Sequence, residues 1–228
     1  MKTRMYKEAK KTWSPYVGCR HGCIYCIPSF QRQAKRQKNR CMSCYNFVPH
    51  FHPERLKKPL PKTERVNEFI FACDFGDVTF AKPEWMKLII DRIEQLPDRT
   101  FLIQSKNPSC FSRYTFPKNV ILGTTIETNR DELCLKISKA PPPSKRYEKM
   151  KQLVHKRKSV TVEPIMEFDL PVLVSWIKNI NPEVVYVGYD NHSCGLQEPP
   201  LEKTLRFIDE VGKFTEVRKK TLRDKFEN

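Results

Sequence analysis

Glycine is scarce in this chain. Only seven of 228 residues are glycine, and none falls in a Gly-x-Gly-x-x-Gly run. That weighs against a dinucleotide-binding sheet, whose glycines let the backbone approach a pyrophosphate. No apolar stretch approaches the ~18 residues needed to cross a bilayer, so no membrane contact is expected. The opening MKTRMYKEAKKTW is basic but has no apolar h-region, which argues against a secretory signal. A soluble, cytoplasmic protein is the expectation. Acidic residues are outnumbered: 26 Asp and Glu stand against 42 Lys and Arg, for a formal charge of +16. Such a surplus draws polyanions through counterion release, so nucleic acid is a natural partner class. A lysine-rich solvated surface has the same composition. Internal repeats and low-complexity segments are absent.

What is present suffices for a core. Apolar residues make up 39% of the chain, and the length suits one domain over 1–228 with an irregular insertion at about 27–66. β-Branched and aromatic runs alternate with stretches of helical spacing. Strands are predicted at 13–19, 68–73, 100–105, 119–127, 159–166 and 183–189. Helices are predicted at 82–96, 144–156, 170–180 and 199–214, the last opening a basic C-terminal segment (199–228). Repeated strand–helix units argue for parallel strands with right-handed crossovers. The strands read as nearly continuous apolar runs, as when both faces are covered. About six units are fewer than a closed barrel's eight. The fold class is therefore α/β, a partial (β/α)6 barrel of parallel strands with a Cys/His-containing insertion.

Nine cysteines, an odd and clustered set with no export signal, point to metal or redox chemistry rather than disulfides. Two groupings compete. Cys23, Cys26, Cys41 and Cys44 form Cys-x2-Cys-x14-Cys-x2-Cys, close to zinc-ribbon spacing, and leave Cys19 idle. Cys19, Cys23 and Cys26 form Cys-x3-Cys-x2-Cys; three thiolates leave one iron of a four-iron cluster open to substrate. A free-standing zinc ribbon has no need of six strand–helix units behind it, which favours the second grouping.

With Tyr25 before its last cysteine, the Cys19–Cys26 stretch resembles the signature of the radical S-adenosylmethionine superfamily. The resemblance implies a 4Fe-4S cluster, bound S-adenosylmethionine, a 5′-deoxyadenosyl radical, and a reductant protein such as flavodoxin or ferredoxin. The superfamily's Gly-Gly-Glu-like segment is replaced here by ACDFGDVTF (72–80). A closer resemblance is to a phage- and prokaryote-associated family of radical-enzyme-like proteins. Its marks are TWSP (12–15), HPERL (52–56), Thr100-Phe101 with Lys106, NVILG (119–123) and Glu163-Pro164. A looser one is to the spore photoproduct lyase branch, which implies a hydrogen-atom donor at Cys73 and a methionine-carboxylate contact at Lys106.

Further candidates for cofactor contact close the strands: Asp74, Asp77, Thr125, Glu127 and Glu163. Tyr189 and Asp190 end the last strand, with His192 and Cys194 just beyond. A charged group at an inward strand end needs a partner, so Lys106, Glu127 and Glu163 are expected to pair with one another or with a ligand. Cys41 and Cys44, with His50 and His52, are a possible second site for zinc or an auxiliary cluster. Cys110 and Cys134 read as structural thiols. The expected function is radical chemistry on a nucleic acid or nucleotide, with a peptide or small metabolite as the alternative substrate. A non-catalytic, zinc-stabilised nucleic-acid-binding protein is the alternative from another class.

Overall fold

The computed structural model describes residues 5–65 and 67–223. Its main sheet has seven parallel strands in the order β1 (Ala9–Trp13), β4 (Phe69–Ala72), β5 (Phe101–Gln104), β6 (Val120–Thr125), β7 (Lys158–Val162), β8 (Val184–Val187) and β9 (Glu216–Lys219). Neighbours follow chain order, so the sheet curls as a half-barrel with its carboxyl ends on one rim. A separate antiparallel ribbon pairs β2 (Tyr16–Val17) with β3 (His50–Phe51). Two short helical pieces, α1 (Arg32–Ala34) and α2 (Met42–Tyr45), lie in the insertion. The remaining helices are α3 (Pro83–Glu94), α4 (Asp131–Leu135), α5 (Pro143–Gln152), α6 (Leu170–Ile180) and α7 (Leu201–Gly212). None is long and apolar enough to cross a membrane.

The strands alternate between two cores. Ile70, Ala72, Ile103, Leu122, Val160, Val162, Val185 and Val187 pack with Ile89 and Ile93 of α3, Ile177 of α6 and Phe207 of α7. The opposite, concave face holds Phe69, Phe71, Leu102, Ile121, Val184 and Tyr186 around Tyr6. Tyr6 plugs this face. Its hydroxyl donates to Gln104 Oε1 at 2.5 Å and lies 2.8 Å from Thr161 Oγ1, and its ring meets Tyr186 edge-on at 4.5 Å. The concave face therefore mixes apolar and polar groups, where continuous apolar runs were expected.

Other expectations shift as well. The first sheet strand is AKKTW at 9–13, not a strand over 13–19; Tyr16 and Val17 leave the sheet for the ribbon. Ala9 and Trp13 supply the burial that its lysines obscure. The basic C-terminal segment holds a seventh strand, β9, on the far edge of the sheet. Its three charged residues, Glu216, Arg218 and Lys219, suit an edge strand open to solvent. Residues 1–4 and 224–228, parts of the two basic termini, lie outside the described residues.

Candidate functional site

The loop from Gly18 to Cys26 leaves the ribbon and crosses the carboxyl rim. Gly18 is required there: its φ is +103°, and a Cβ would come within 2.3 Å of the Val48 carbonyl. The loop is pinned on several sides. Gly18 N–H donates to Phe75 O at 3.0 Å, Cys19 N–H to Phe47 O at 3.3 Å, Ile24 N–H to Ile137 O at 3.0 Å, and Lys139 N–H to His21 O at 2.7 Å. Cys23 Sγ lies 3.0 Å from Ser138 Oγ.

Asp77 organises this rim. Its Oδ1 accepts from Ser105 Oγ at 2.6 Å and Thr79 N–H at 3.0 Å. Its Oδ2 accepts from Lys106 N–H at 2.8 Å and meets His21 Nε2 at 3.1 Å. Burial opposes ionisation, but the hydrogen bond and charge of His21 and the other donors outweigh it and hold Asp77 below the usual carboxylate range. All four lone-pair directions are used, so Asp77 ties the cysteine loop to β5 and has no acceptor site left for a ligand.

Beneath the cysteines lies a buried ionic network. Lys106 Nζ donates to Glu127 Oε1 and to the Tyr25 hydroxyl, with its ammonium 5.0 Å from the Tyr25 ring centroid. Tyr25 donates to Glu127 Oε1 at 2.6 Å, and Arg146 Nη1 to Glu127 Oε2 at 2.6 Å. Cys134 Sγ lies 3.7 Å from the same carboxylate. Burial alone would raise the Glu127 pKa; Arg146 and Lys106 overcome it and hold the group well below the carboxylate range. Burial likewise opposes the Lys106 charge, which Glu127 restores. Two cations on one carboxylate leave net positive charge under the cysteine loop. The second guanidinium nitrogen of Arg146, Nη2, is buried with no acceptor among the described residues.

The donor set fits an iron–sulfur cluster. Burial pushes the Cys19 thiol up to about 12. Cys23 is drawn down to about 5, first by its hydrogen bond with Cys26, against the cost of burial and with Lys106 close by. Cys26 is raised by the same bond. Burial and mutual repulsion oppose ionising all three thiols together, and a cationic iron–sulfur group would supply the charge that lets them ionise.

The other sequence candidates lie in different surroundings. Cys73, at φ +58°, packs in the helix-side core with Trp13, Tyr16 and Met86, and burial pushes its thiol up to about 12. Asp74 accepts from Ser14 Oγ, and burial pushes it up to about 6. Thr125 Oγ1 accepts from Gln104 Nε2 at 2.8 Å. Glu163 was expected beside Lys106 and Glu127; it pairs instead with Lys220, a residue of the segment after β9. Tyr189 is buried against Thr204, and Asp190 accepts from the backbone of His192 and Cys194. Cys110 is buried in the helix-side core. The zinc-ribbon grouping is overturned: Cys41 and Cys44 sit with His50 and His52, not with Cys23 and Cys26.

Three contributors escaped the sequence reading. His21 sits between the cysteines, and Ser138 follows α4. Arg146 was counted in a charge run, yet it shares the buried face of α5 with Pro143, Tyr147 and Met150, the i, i+3, i+4, i+7 pattern that could have flagged it. A cavity of about 130 Å³ is lined by Phe69, Leu102, Val184 and Tyr186 at the amino ends of the strands, opposite the cysteines.

The family model described as "Protein of unknown function (DUF5131)" matches residues 5–178. The chain belongs to this family. The DUF5131 match takes in the cysteine loop, the insertion and the rim residues through Glu163. No curated protein matches the sequence. Among solved structures, Streptococcus suis SuiB bound to its precursor peptide SuiA is similar at 10% identity and a TM-score of 0.56. S. suis SuiB alone is similar at 12% identity and a TM-score of 0.55. Each match covers 93% of this chain and 49% of the other, so the chain spans about half the length of these structures. At such identity the likeness concerns the fold alone.

Proposed function

We propose that this chain is a radical S-adenosylmethionine enzyme. The supporting observation is the gathering of Cys19, Cys23 and Cys26 from one loop on the carboxyl rim of a parallel half-barrel, above the Lys106–Glu127–Arg146 network. Cys19, Cys23 and Cys26 would hold a 4Fe-4S cluster. Such a cluster would supply the one-electron reduction that cleaves the sulfonium of S-adenosylmethionine. His21 and Asp77 fix the loop against β5. Lys106 and Arg146 offset the negative charge that thiolates bring to a buried site. Glu127 keeps both cations in place and accepts the Tyr25 hydroxyl.

The substrate we propose is a nucleic acid. Arg32, Lys35, Arg36, Lys38 and Arg40 are exposed on the segment directly after the cysteine loop, on a chain of net charge +16. A second reading, a peptide substrate, is favoured by the solved SuiB structure with a precursor peptide bound.

Anaerobic reconstitution with iron and sulfide tests the cofactor. About four irons per chain with charge-transfer absorbance are expected, and Cys19→Ala should abolish both. Iron binding unchanged in Cys19→Ala would contradict the assignment. For the substrate, affinity for an oligonucleotide should fall steeply with salt and weaken when Arg36 and Arg40 become Ala. Binding that salt and those substitutions leave unchanged would favour the peptide reading.

A further inference from the structure

Cys41, Cys44, His50 and His52 bring four ligand atoms within 4.8 Å of one another. Cys44 Sγ lies 3.3 Å from His50 Nε2 and 3.2 Å from His52 Nε2, and Cys41 Sγ lies 3.5 Å from His50 Nε2. The two Nε2 atoms are 2.8 Å apart. A tetrahedron with Zn–S of about 2.3 Å and Zn–N of about 2.0 Å has edges of about 3.3–3.8 Å. The sulfur–nitrogen separations of 3.2–3.5 Å match a single-ion site, and the two Nε2 atoms would part by about 0.5 Å to seat the ion. They are too close to straddle a multi-iron cluster.

The outer contacts fix which atoms face inward. His50 Nδ1 lies 2.7 Å from the Val48 carbonyl, which only accepts, so Nδ1 carries the proton. His52 Nδ1 lies 3.0 Å from Glu54 Oε1, and a carboxylate assigns the proton the same way. Each ring then turns its Nε2 inward, and the close approach of the two nitrogens is relieved by a shared proton or by a metal ion bound between them. A histidine whose second nitrogen is held by a carbonyl or carboxylate is the usual outer shell of a metal ligand. Cys44 N–H also approaches Cys41 Sγ at 3.4 Å, a bond that supports a thiolate in a Cys-x2-Cys turn.

We propose that Cys41, Cys44, His50 and His52 bind one structural Zn2+ that braces the approach to Cys19. Tetrahedral S2N2 donors select zinc, and four protein ligands leave no open position. The bracing follows from the chain path. His50 pairs with Val17 in the ribbon, and His52 N–H donates to Pro15 O at 2.7 Å. Phe47 O accepts from Cys19 N–H at 3.3 Å, and Val48 packs against Gly18 so closely that no side chain fits there. The metal thus fastens α2 to β3, the strand whose pairing with β2 holds the start of the cysteine loop. It stands apart from the 4Fe-4S assignment and holds whether or not that assignment does.

The test is metal analysis of the full chain purified without chelator, beside three variants. About one zinc per chain is expected in the wild type and in the Cys19→Ala/Cys23→Ala/Cys26→Ala variant. The Cys44→Ser/His50→Ala variant should lose at least about tenfold of that zinc, and His52→Cys should retain it. A second measurement uses wild-type protein, so that the outcome does not depend on the folding of Cys44→Ser/His50→Ala. Alkylation of Cys41 and Cys44, read by mass spectrometry, should be blocked by zinc and released by a chelator. Replacement by Co2+ should give the absorption of a tetrahedral thiolate–imidazole site. Zinc lost with the three N-terminal cysteines, or Cys41 and Cys44 alkylated equally with and without zinc, overturns the proposal.

Discussion

His21 Nε2 lies 3.1 Å from Asp77 Oδ2, both side chains buried, and this pair joins the cysteine loop to the rim of the sheet. Asp77→Ala would strand His21, Ser105 and two backbone N–H groups without an acceptor. A loss of about 3–5 kcal/mol is expected. Urea denaturation measures it, and iron uptake should fall in parallel. An unchanged midpoint would show that the loop is held by its backbone contacts alone.

Glu127→Gln leaves Lys106 and Arg146 facing each other in the interior, with a cost of about 3–5 kcal/mol at neutral pH. The sign with pH follows from the depressed Glu127 pKa. Its stabilisation is full above the unfolded carboxylate range, near 4.5, and fades as pH falls through the folded value. Wild type and Glu127→Gln should therefore converge in stability as the solution is acidified. Parallel curves down to low pH would mean that Glu127 is not ionised in the fold.

Asp74 behaves in the opposite sense. Burial pushes it up to about 6, so between its unfolded value of 3.8 and that pH the native state holds more protons than the unfolded chain. Stability should then fall as pH rises through this window. Asp74→Asn keeps an acceptor for Ser14 and should be more stable than wild type at pH ~7.5 by about 1–3 kcal/mol, but not at pH ~4. Denaturant midpoints at the two pH values decide it.

The two glycines of the cysteine loop separate strain from crowding. Gly22 has φ +61° and no atom within 4 Å of a would-be Cβ, so Gly22→Ala should cost only about 1 kcal/mol. Gly18, at φ +103° and 2.3 Å from Val48, adds a clash to strain of about 1–3 kcal/mol. Gly18→Ala should lower the melting temperature clearly more than Gly22→Ala. Equal effects would place the loop's rigidity elsewhere.

The half-barrel was legible because its inner strands are short β-branched or aromatic runs, most of them followed by an amphipathic helix such as α3; β5 is followed by a short 3-10 helix at Pro108–Arg113. The edge strands were not. AKKTW and EVRK look polar because one face of an edge strand meets solvent, and only pairing with β4 and β8 fixes them. In the site, Cys19, Cys23 and Cys26 stood out by spacing, and the Lys106–Glu127 pair by the cost of leaving strand-end charges alone. Spacing left two groupings open for Cys41 and Cys44: Cys23 and Cys26 at zinc-ribbon spacing, or His50 and His52 just after. The ribbon pairing of His50 brings the second set together. Arg146 was hidden because a guanidinium on a lysine-rich helix reads as surface until the helix face is drawn.

The most direct measurement is 5′-deoxyadenosine release from S-adenosylmethionine by the anaerobically reconstituted, dithionite-reduced chain. Wild type should form it, and Cys19→Ala, Cys23→Ala and Cys26→Ala should each form none while keeping the zinc bound at Cys41 and Cys44. A fully iron-loaded wild type that forms no 5′-deoxyadenosine, or a Cys19→Ala variant that forms as much as wild type, would contradict the assignment of these three cysteines to a radical-generating cluster.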